Sequence, residues 1–213
     1  WPSIYWWEDR NLPQYPYDTG HFILQYAEEI GLKVIMELSG QITSLEYAPD
    51  FVMKEEYYAV KYDGTYMKDH MYFGYLNYNH PEVQKLIVRQ FAEAARQYMH
   101  YTSLYGYDIW NETMFESYDV YTLQRYRKWL KDKYGTIEAL NDVWDRVYSS
   151  FEEIHFNRWM WASVMPVVDY YRFHKESIGM FLQEWVQAVK AVDSAHPIIA
   201  DNIHSMVSDD SSF

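Results

Sequence analysis

Cysteine is absent from the 213 residues. That excludes disulfides and thiolate zinc sites, but it assigns the chain to no compartment, since cytosolic and secreted proteins alike can lack cysteine. Long apolar runs are missing too. No stretch reaches the roughly 18 residues that a membrane span needs, so no membrane partner is expected. No secretory signal is legible either, and the sequence opens on Trp1 rather than Met. Positive charge is scarce: 18 Lys plus Arg stand against 31 Asp plus Glu, a formal net charge of −13 with a sequence pI near 4.9. Such a surface repels phosphate backbones, which argues against nucleic acid as a partner. The eight histidines show neither HExxH nor any other metal-ligand spacing, so no metal and no cofactor are expected.

What the chain has in excess is aromatic: 9 Trp, 23 Tyr and 10 Phe, 20% of the residues. Aromatics beyond the needs of a core often line sites that stack on flat apolar faces, sugar rings included. The most informative run is Tyr107-Asp108-Ile109-Trp110-Asn111-Glu112. Tyr107 to Trp110 read as a buried strand. Asn111 and Glu112 follow where the strand would leave the core, which in a parallel barrel is the end that carries chemistry. A carboxyl set there among aromatics is expected to hold its proton towards neutral pH, as a general acid must.

The rest follows a repeating pattern. Pro2–Trp7 reads as the tail of a strand. A helix capped by Asp18 or Thr19 carries Phe22, Ile23, Tyr26, Ala27 and Ile30 at helical spacing and stops at Gly31. Lys33–Leu38 is the next strand. A long, tyrosine-rich excursion from Ser39 to Asn79 has the length of a functional loop. His80-Pro81 opens a helix with Val83, Leu86, Ile87, Phe91, Ala94 and Tyr98 on one face, and Tyr107–Trp110 completes a second βαβ step. Asp119 caps a helix that Gly135 ends, and Thr136 caps a shorter one through Trp144. Pro166 starts a long amphipathic helix to about Asp193, with Tyr171, Ile178, Leu182, Trp185, Val189 and Val192 as its expected buried stripe. Ile198–Ala200 is a last short strand ending in Asp201-Asn202. The fold class is α/β: roughly strands 2 to 5 of a TIM (β/α)8 barrel with their helices. Since a closed barrel needs eight strands and about 250 residues, residues 1–213 are expected to be a fragment of one catalytic domain, truncated at both ends.

Other carboxylates are weaker candidates. Glu112 and Glu116 would meet only on a helix, and Glu112 ends a strand. Glu37 either points into the barrel mouth or sits on the rim beside a basic side chain. Trp6, Trp7, Trp110 and Asn202 fall at strand ends, where they either pack or line a sugar site.

The segment Lys128-Trp129-Leu130-Lys131-Asp132-Lys133-Tyr134-Gly135-Thr136-Ile137-Glu138-Ala139-Leu140-Asn141-Asp142-Val143-Trp144 closely resembles the one that follows the acid/base strand in the family 42 glycoside hydrolases, the β-galactosidase family of the clan A barrels. Gly31-Leu32-Lys33-Val34-Ile35, Tyr78-Asn79-His80-Pro81, Ser150-Phe151-Glu152-Glu153-Ile154, Asp169-Tyr170-Tyr171-Arg172-Phe173 and Ala200-Asp201-Asn202 resemble further landmarks of that family in order and spacing. The resemblance implies a retaining glycosidase acting on terminal β-galactosides or similar sugars. Glu112 would be its general acid/base and Asn111 its contact to the sugar 2-hydroxyl, with the nucleophile on a seventh strand beyond Phe213. Trp7 and Asn202, placed at strand ends, are expected to bind substrate beside Asn111; the resemblance implies in addition that the partner is a carbohydrate and that the complete protein is an oligomer, often a trimer, favouring the cytoplasm. The chain departs from the family in lacking its cysteine zinc cluster and the arginine that precedes the Pro-Asn-Ser-Pro segment. The region matching that arginine reads Tyr72-Phe73-Gly74-Tyr75. After Trp144 comes Asp145-Arg146-Val147-Tyr148-Ser149, without the family's second aromatic. A non-catalytic carbohydrate-binding barrel and a clan A glycosidase of other sugar specificity stay open as alternatives.

Overall fold

A computed structural model describes residues 19–38, 54–68, 76–110, 115–156 and 163–200. In chain order these form α1 (Thr19–Ile30), β1 (Val34–Glu37), α2 (Pro81–Tyr98), β2 (Leu104–Asp108), α3 (Val120–Tyr134), α4 (Ile137–Trp144), α5 (Met165–Lys190) and β3 (Ile198–Ile199). The strands make one parallel sheet in the order β1-β2-β3, each crossover made by helices. That is the expected βαβ repetition; the first expected strand, Pro2–Trp7, lies outside the described residues.

Strand alternation divides the sheet. Met36, Tyr107 and Ile198 are side by side on the face that α2 and α5 cover, and Met36 and Tyr107 are buried. Their neighbours Ile35, Glu37, Asp108 and Ile199 belong to the opposite face, where Ile35 is 49% and Ile199 39% exposed. One sheet face is therefore packed on helices, and the other is partly exposed among the described residues.

Two apolar clusters hold the described residues together. The first joins the sheet to α2 and the second half of α5 through Leu24, Tyr78, Phe91, Tyr107, Trp110, Phe115, Phe181 and Trp185, among others. The second joins α3, α4 and the first half of α5 through Tyr126, Leu130, Leu140, Trp144, Phe151, Ile154, Tyr170 and Phe173. The 26-residue α5 spans both clusters.

That span corrects its expected stripe. Trp185 and Val189 are buried as expected, but Tyr171 is 56% exposed and Ile178, Leu182 and Val192 are only partly covered, while Tyr170, Phe173, Phe181 and Ala188 join the buried side. A helix facing two cores in succession has no single stripe for the sequence period to report. The face expected of α1 is corrected too. Leu24 and Ala27 are buried, whereas Phe22 (68%), Ile23, Tyr26 and Ile30 are exposed. β2 begins at Leu104, earlier than the aromatic run suggests, because Gly106 belongs to the ladder: a Cβ there would come within 2.6 Å of the Pro197 carbonyl oxygen. Trp110 has already left the ladder.

The helix caps match the sequence signals. His80 Nδ1 accepts from the Glu82 N–H at 3.2 Å, with Pro81 at the first helical position of α2. Asp119 and Thr136 cap α3 and α4, and Gly135 closes α3 at φ +76°. Among the described residues, no helix is long and apolar enough to cross a membrane.

Candidate active site

The chain leaves β1, β2 and β3 at their common carboxyl edge, the edge at which barrel enzymes place their chemistry. Beyond β2, Ile109 still donates its N–H to Ile199 O at 2.9 Å, and the Trp110 N–H reaches Asp108 Oδ1 at 3.3 Å. Trp110 is fully buried. Its ring stands edge-on to Tyr78 at 5.3 Å and tilted against Trp185 at 4.8 Å. The chain is described again at Phe115, whose ring lies 4.9 Å from the same Tyr78 and edge-on to Phe181 at 5.3 Å. The four residues 111–114 thus join two aromatic anchors that share one buried tyrosine.

Downstream the chain stays fixed. Ser117 Oγ accepts from the Val60 N–H at 3.0 Å, and the Tyr118 N–H donates to Val60 O at 2.8 Å. Val60 belongs to a short hairpin bridged to Tyr66 inside the long excursion after β1, which the sequence suggested was irregular. The loops after β1 and β2 are therefore tied together on the carboxyl side of the sheet. Asp119 then accepts from Ser117 Oγ, Thr122 Oγ1 and the N–H groups of Tyr121 and Thr122, at 2.5–3.1 Å. Burial works against its charge, but these bonds hold its carboxyl below the ordinary range. Asn79 Nδ2 donates to Thr122 Oγ1 at 2.8 Å, bringing the start of α2 onto the same cap.

Two further carboxylates brace the frame. Asp193, 3% exposed, accepts from the Tyr107 hydroxyl at 2.7 Å and from the Ala195 and His196 N–H groups at 3.0 and 3.2 Å, with His196 Nδ1 at 2.6 Å. Burial again opposes the anion, yet these donors keep its carboxyl below its ordinary value, while burial and the bond to Asp193 push the Tyr107 hydroxyl up. This cluster locks the α5–β3 turn onto the strand that leads to Trp110. Asp169, fully buried, accepts from Lys133, from the Tyr134 hydroxyl at 2.5 Å and from Trp144 Nε1 at 2.9 Å. Asn141 pins the next loop through both Tyr148 backbone groups, at 2.8 and 2.9 Å. The fingerprint Lys133-Tyr134…Asn141…Trp144 is thus architectural: it assembles α3, α4 and α5. Arg125, half-buried, holds its guanidinium over the Phe181 ring at 5.2 Å, beside the aromatic anchors. Burial lowers its pKa against the pull of Glu184.

Glu112, Asn111, Trp7 and Asn202 lie outside the described residues, as do Trp6 and Tyr72–Tyr75. Of the other candidates, Glu37 ends β1 on the half-open face, in register with Asp108. Glu116 accepts a hydrogen bond from the Tyr118 hydroxyl. Among the described residues, no group of three or more His, Asp or Glu side chains is placed to hold a metal ion. Arg125 on Phe181, Asp169 on Lys133, Tyr134 and Trp144, and the bond between Asp193 and Tyr107 carry no local sequence signal, because those partners meet only in the folded chain.

Comparison with known proteins agrees with this frame. The sequence profile of glycoside hydrolase family 42, described as Beta-galactosidase, matches residues 15–211. Beta-galactosidase BgaA of Thermus sp is 35% identical over 75 residues, 32% of this chain and 12% of its own. Beta-galactosidase bgaB of Geobacillus kaustophilus is 31% identical over 117 residues, 50% of this chain and 17% of its own. The solved structure of the β-galactosidase from Halorubrum lacusprofundi superposes with a TM-score of 0.78 at 17% identity, over 95% of this chain and 31% of that one. The chain thus spans under a third of the solved relative's length. At that identity the likeness speaks for fold alone: the sheet and helices are part of a TIM (β/α)8 barrel.

Proposed function

The chain belongs to the β-galactosidase family, glycoside hydrolase family 42, and from that premise we propose that it is the acid/base-bearing part of a retaining glycosidase acting on terminal β-galactosides. Glu112 is the general acid/base. It protonates the glycosidic oxygen as a carboxylate nucleophile displaces the leaving group, then takes a proton from the water that hydrolyses the glycosyl-enzyme. The nucleophile comes from a strand outside these residues. Asn111 hydrogen-bonds the sugar 2-hydroxyl, a contact that strengthens in the transition state. Trp7 and Asn202 line the sugar site, and the complete protein is a homo-oligomer.

The observation that carries this reading is the pair of buried anchors, Trp110 and Phe115, on either side of residues 111–114 at the carboxyl end of β2. A carboxyl presented from such an end is expected to be preorganised, because the backbone on each side is fixed by packing. An apolar aromatic wall also favours the protonated form that the first step requires.

The test is Glu112→Gln in the protein expressed from its complete coding frame. On an aryl galactoside with a poor leaving group, kcat/KM is expected to fall by about 10² to 10⁴. On a dinitrophenyl galactoside, which leaves without protonation, the bond-breaking step is expected to stay near the parent rate. Equal losses on both substrates would refute the role.

A further inference from the structure

Between α3 and α5 opens a groove of about 350 Å³, lined by Trp129, Asp132, Lys133, Arg172 and Glu176. None of these residues belongs to the strand-end site, and the groove lies over the second apolar cluster. Its walls are preorganised. Trp129 Nε1 donates to Glu176 at 2.5 Å, and its ring packs against Tyr126 and Phe173. Lys133 sits 5.0 Å from the Trp129 ring centre and is held by the buried Asp169. Asp132 pairs with Lys128 at 2.5 Å. Among the described residues, the exposed Arg172 guanidinium makes no ion pair.

The lining carries two cations and two carboxylates and so has no net charge. A phosphate or an acidic peptide would gain nothing from it and would be repelled by a chain of net charge −13. An indole beside carboxylate acceptors and an exposed guanidinium donor matches a pyranose, which offers an apolar C–H face and a rim of hydroxyls. The volume falls within the range of small-ligand pockets, towards its lower end, suiting one sugar residue rather than several.

We propose that this groove is a saccharide-binding subsite, separate from the catalytic carboxylate, that takes one neutral sugar residue of a galactan chain. The choice of galactan rests on the glycosidase reading above, whereas the groove's fitness for a neutral sugar does not. Such a subsite would hold the polymer near the enzyme without altering the reaction at small substrates.

The test uses the protein from its complete coding frame, with affinity electrophoresis through soluble β-1,4-galactan and aryl galactoside hydrolysis measured in parallel. Arg172→Ala removes an exposed side chain that makes no ion pair among the described residues, and Trp129→Phe keeps an aromatic ring against Tyr126 and Phe173. Arg172→Ala is expected to weaken galactan retention about tenfold, the loss of one charge-assisted hydrogen bond, and Trp129→Phe to weaken it in the same direction. The kcat/KM on the aryl galactoside stays unchanged in both. Retention unaffected by either variant overturns the subsite, as does a parallel fall in retention and hydrolysis. If the parent retains galactan through Arg172 yet hydrolyses no galactoside, the subsite stands and the catalytic reading fails.

Discussion

Replacing Asp193 by Asn perturbs the frame behind the proposed acid/base at one atom. Oδ2 of Asp193 receives the Tyr107 hydroxyl at 2.7 Å and lies 2.6 Å from His196 Nδ1, while Oδ1 takes two backbone N–H groups. An ionised carboxylate only accepts, so the histidine donates from Nδ1. The substitution leaves Oδ1 in place but sets an amide NH₂ against two donors. The NH₂ can donate to the Tyr107 oxygen, but the hydroxyl proton then keeps only its long 3.5 Å contact to Ala95 O, and the histidine Nδ1–H loses its acceptor. Hydrogen bonds to a charged group are worth about 1.5–3 kcal/mol each, and the tyrosine recovers part of its loss by reorienting. The net cost is expected to be about 2–3 kcal/mol. Tyr107→Phe, which removes one donor and leaves the carboxylate with three, is expected to cost about 1–2 kcal/mol. The two changes share a partner, so they add to less than their sum by about 1 kcal/mol. Urea unfolding of the complete protein, read by pulse proteolysis, measures this as a midpoint about 1 M lower for Asp193→Asn at ordinary urea slopes. A midpoint within 0.3 M of the parent's, or strict additivity with Tyr107→Phe, would show that the cluster does not fasten β3 to β2.

Three further outcomes follow from the same frame. Gly106→Ala places a Cβ 2.6 Å from the Pro197 carbonyl oxygen; since backbone rather than a flexible side chain must yield, stability is expected to fall by about 1–3 kcal/mol, read as a melting-temperature drop. The Asp119 and Asp193 carboxyls are both held below their ordinary values. Their stabilisation is therefore present above the unfolded Asp pKa of about 3.9 and is lost as pH falls through the folded values. The urea midpoint should hold steady from pH 7 to about pH 5 and drop below about pH 4, less steeply in Asp193→Asn; equal slopes would contradict the assignment. Trp144→Phe removes one of three donors to the buried Asp169 and is expected to cost about 1–3 kcal/mol in the same assay.

Local signals were legible where local chemistry decides structure. The start of α2 could be read from His80-Pro81, the caps of α3 and α4 from Asp119 and Thr136, and the end of α3 from Gly135, since each acts within a turn of its own position. The parallel sheet followed from strand, helix and strand in alternation. The buried faces of α1 and α5 were less legible, because which side of an amphipathic helix is covered depends on neighbours far away in sequence. Tyr170 and Tyr171 look interchangeable until two cores are present. The carboxylate clusters were silent for the same reason. Asp193 meets Tyr107 across 86 residues, and Asp169 meets Tyr134 and Lys133 across 35 and 36. At the candidate site, the Trp110-Asn111-Glu112 run suggested chemistry from its sequence alone. The fold adds what the run cannot say: Trp110 and Phe115 are driven into one aromatic cluster, and Ser117 and Tyr118 are stitched to the hairpin after β1.

The most direct measurement of the central claim is azide rescue of Glu112→Ala in the complete protein on a dinitrophenyl β-galactoside. If Glu112 is the acid/base, the variant still forms the glycosyl-enzyme from this substrate but cannot activate water to release it. Azide needs no proton removed and would attack in place of water. Azide is expected to raise turnover severalfold or more, and the product is expected to be β-galactosyl azide, with the anomeric configuration retained. Turnover indifferent to azide, or an α-configured product, would contradict the assignment of Glu112.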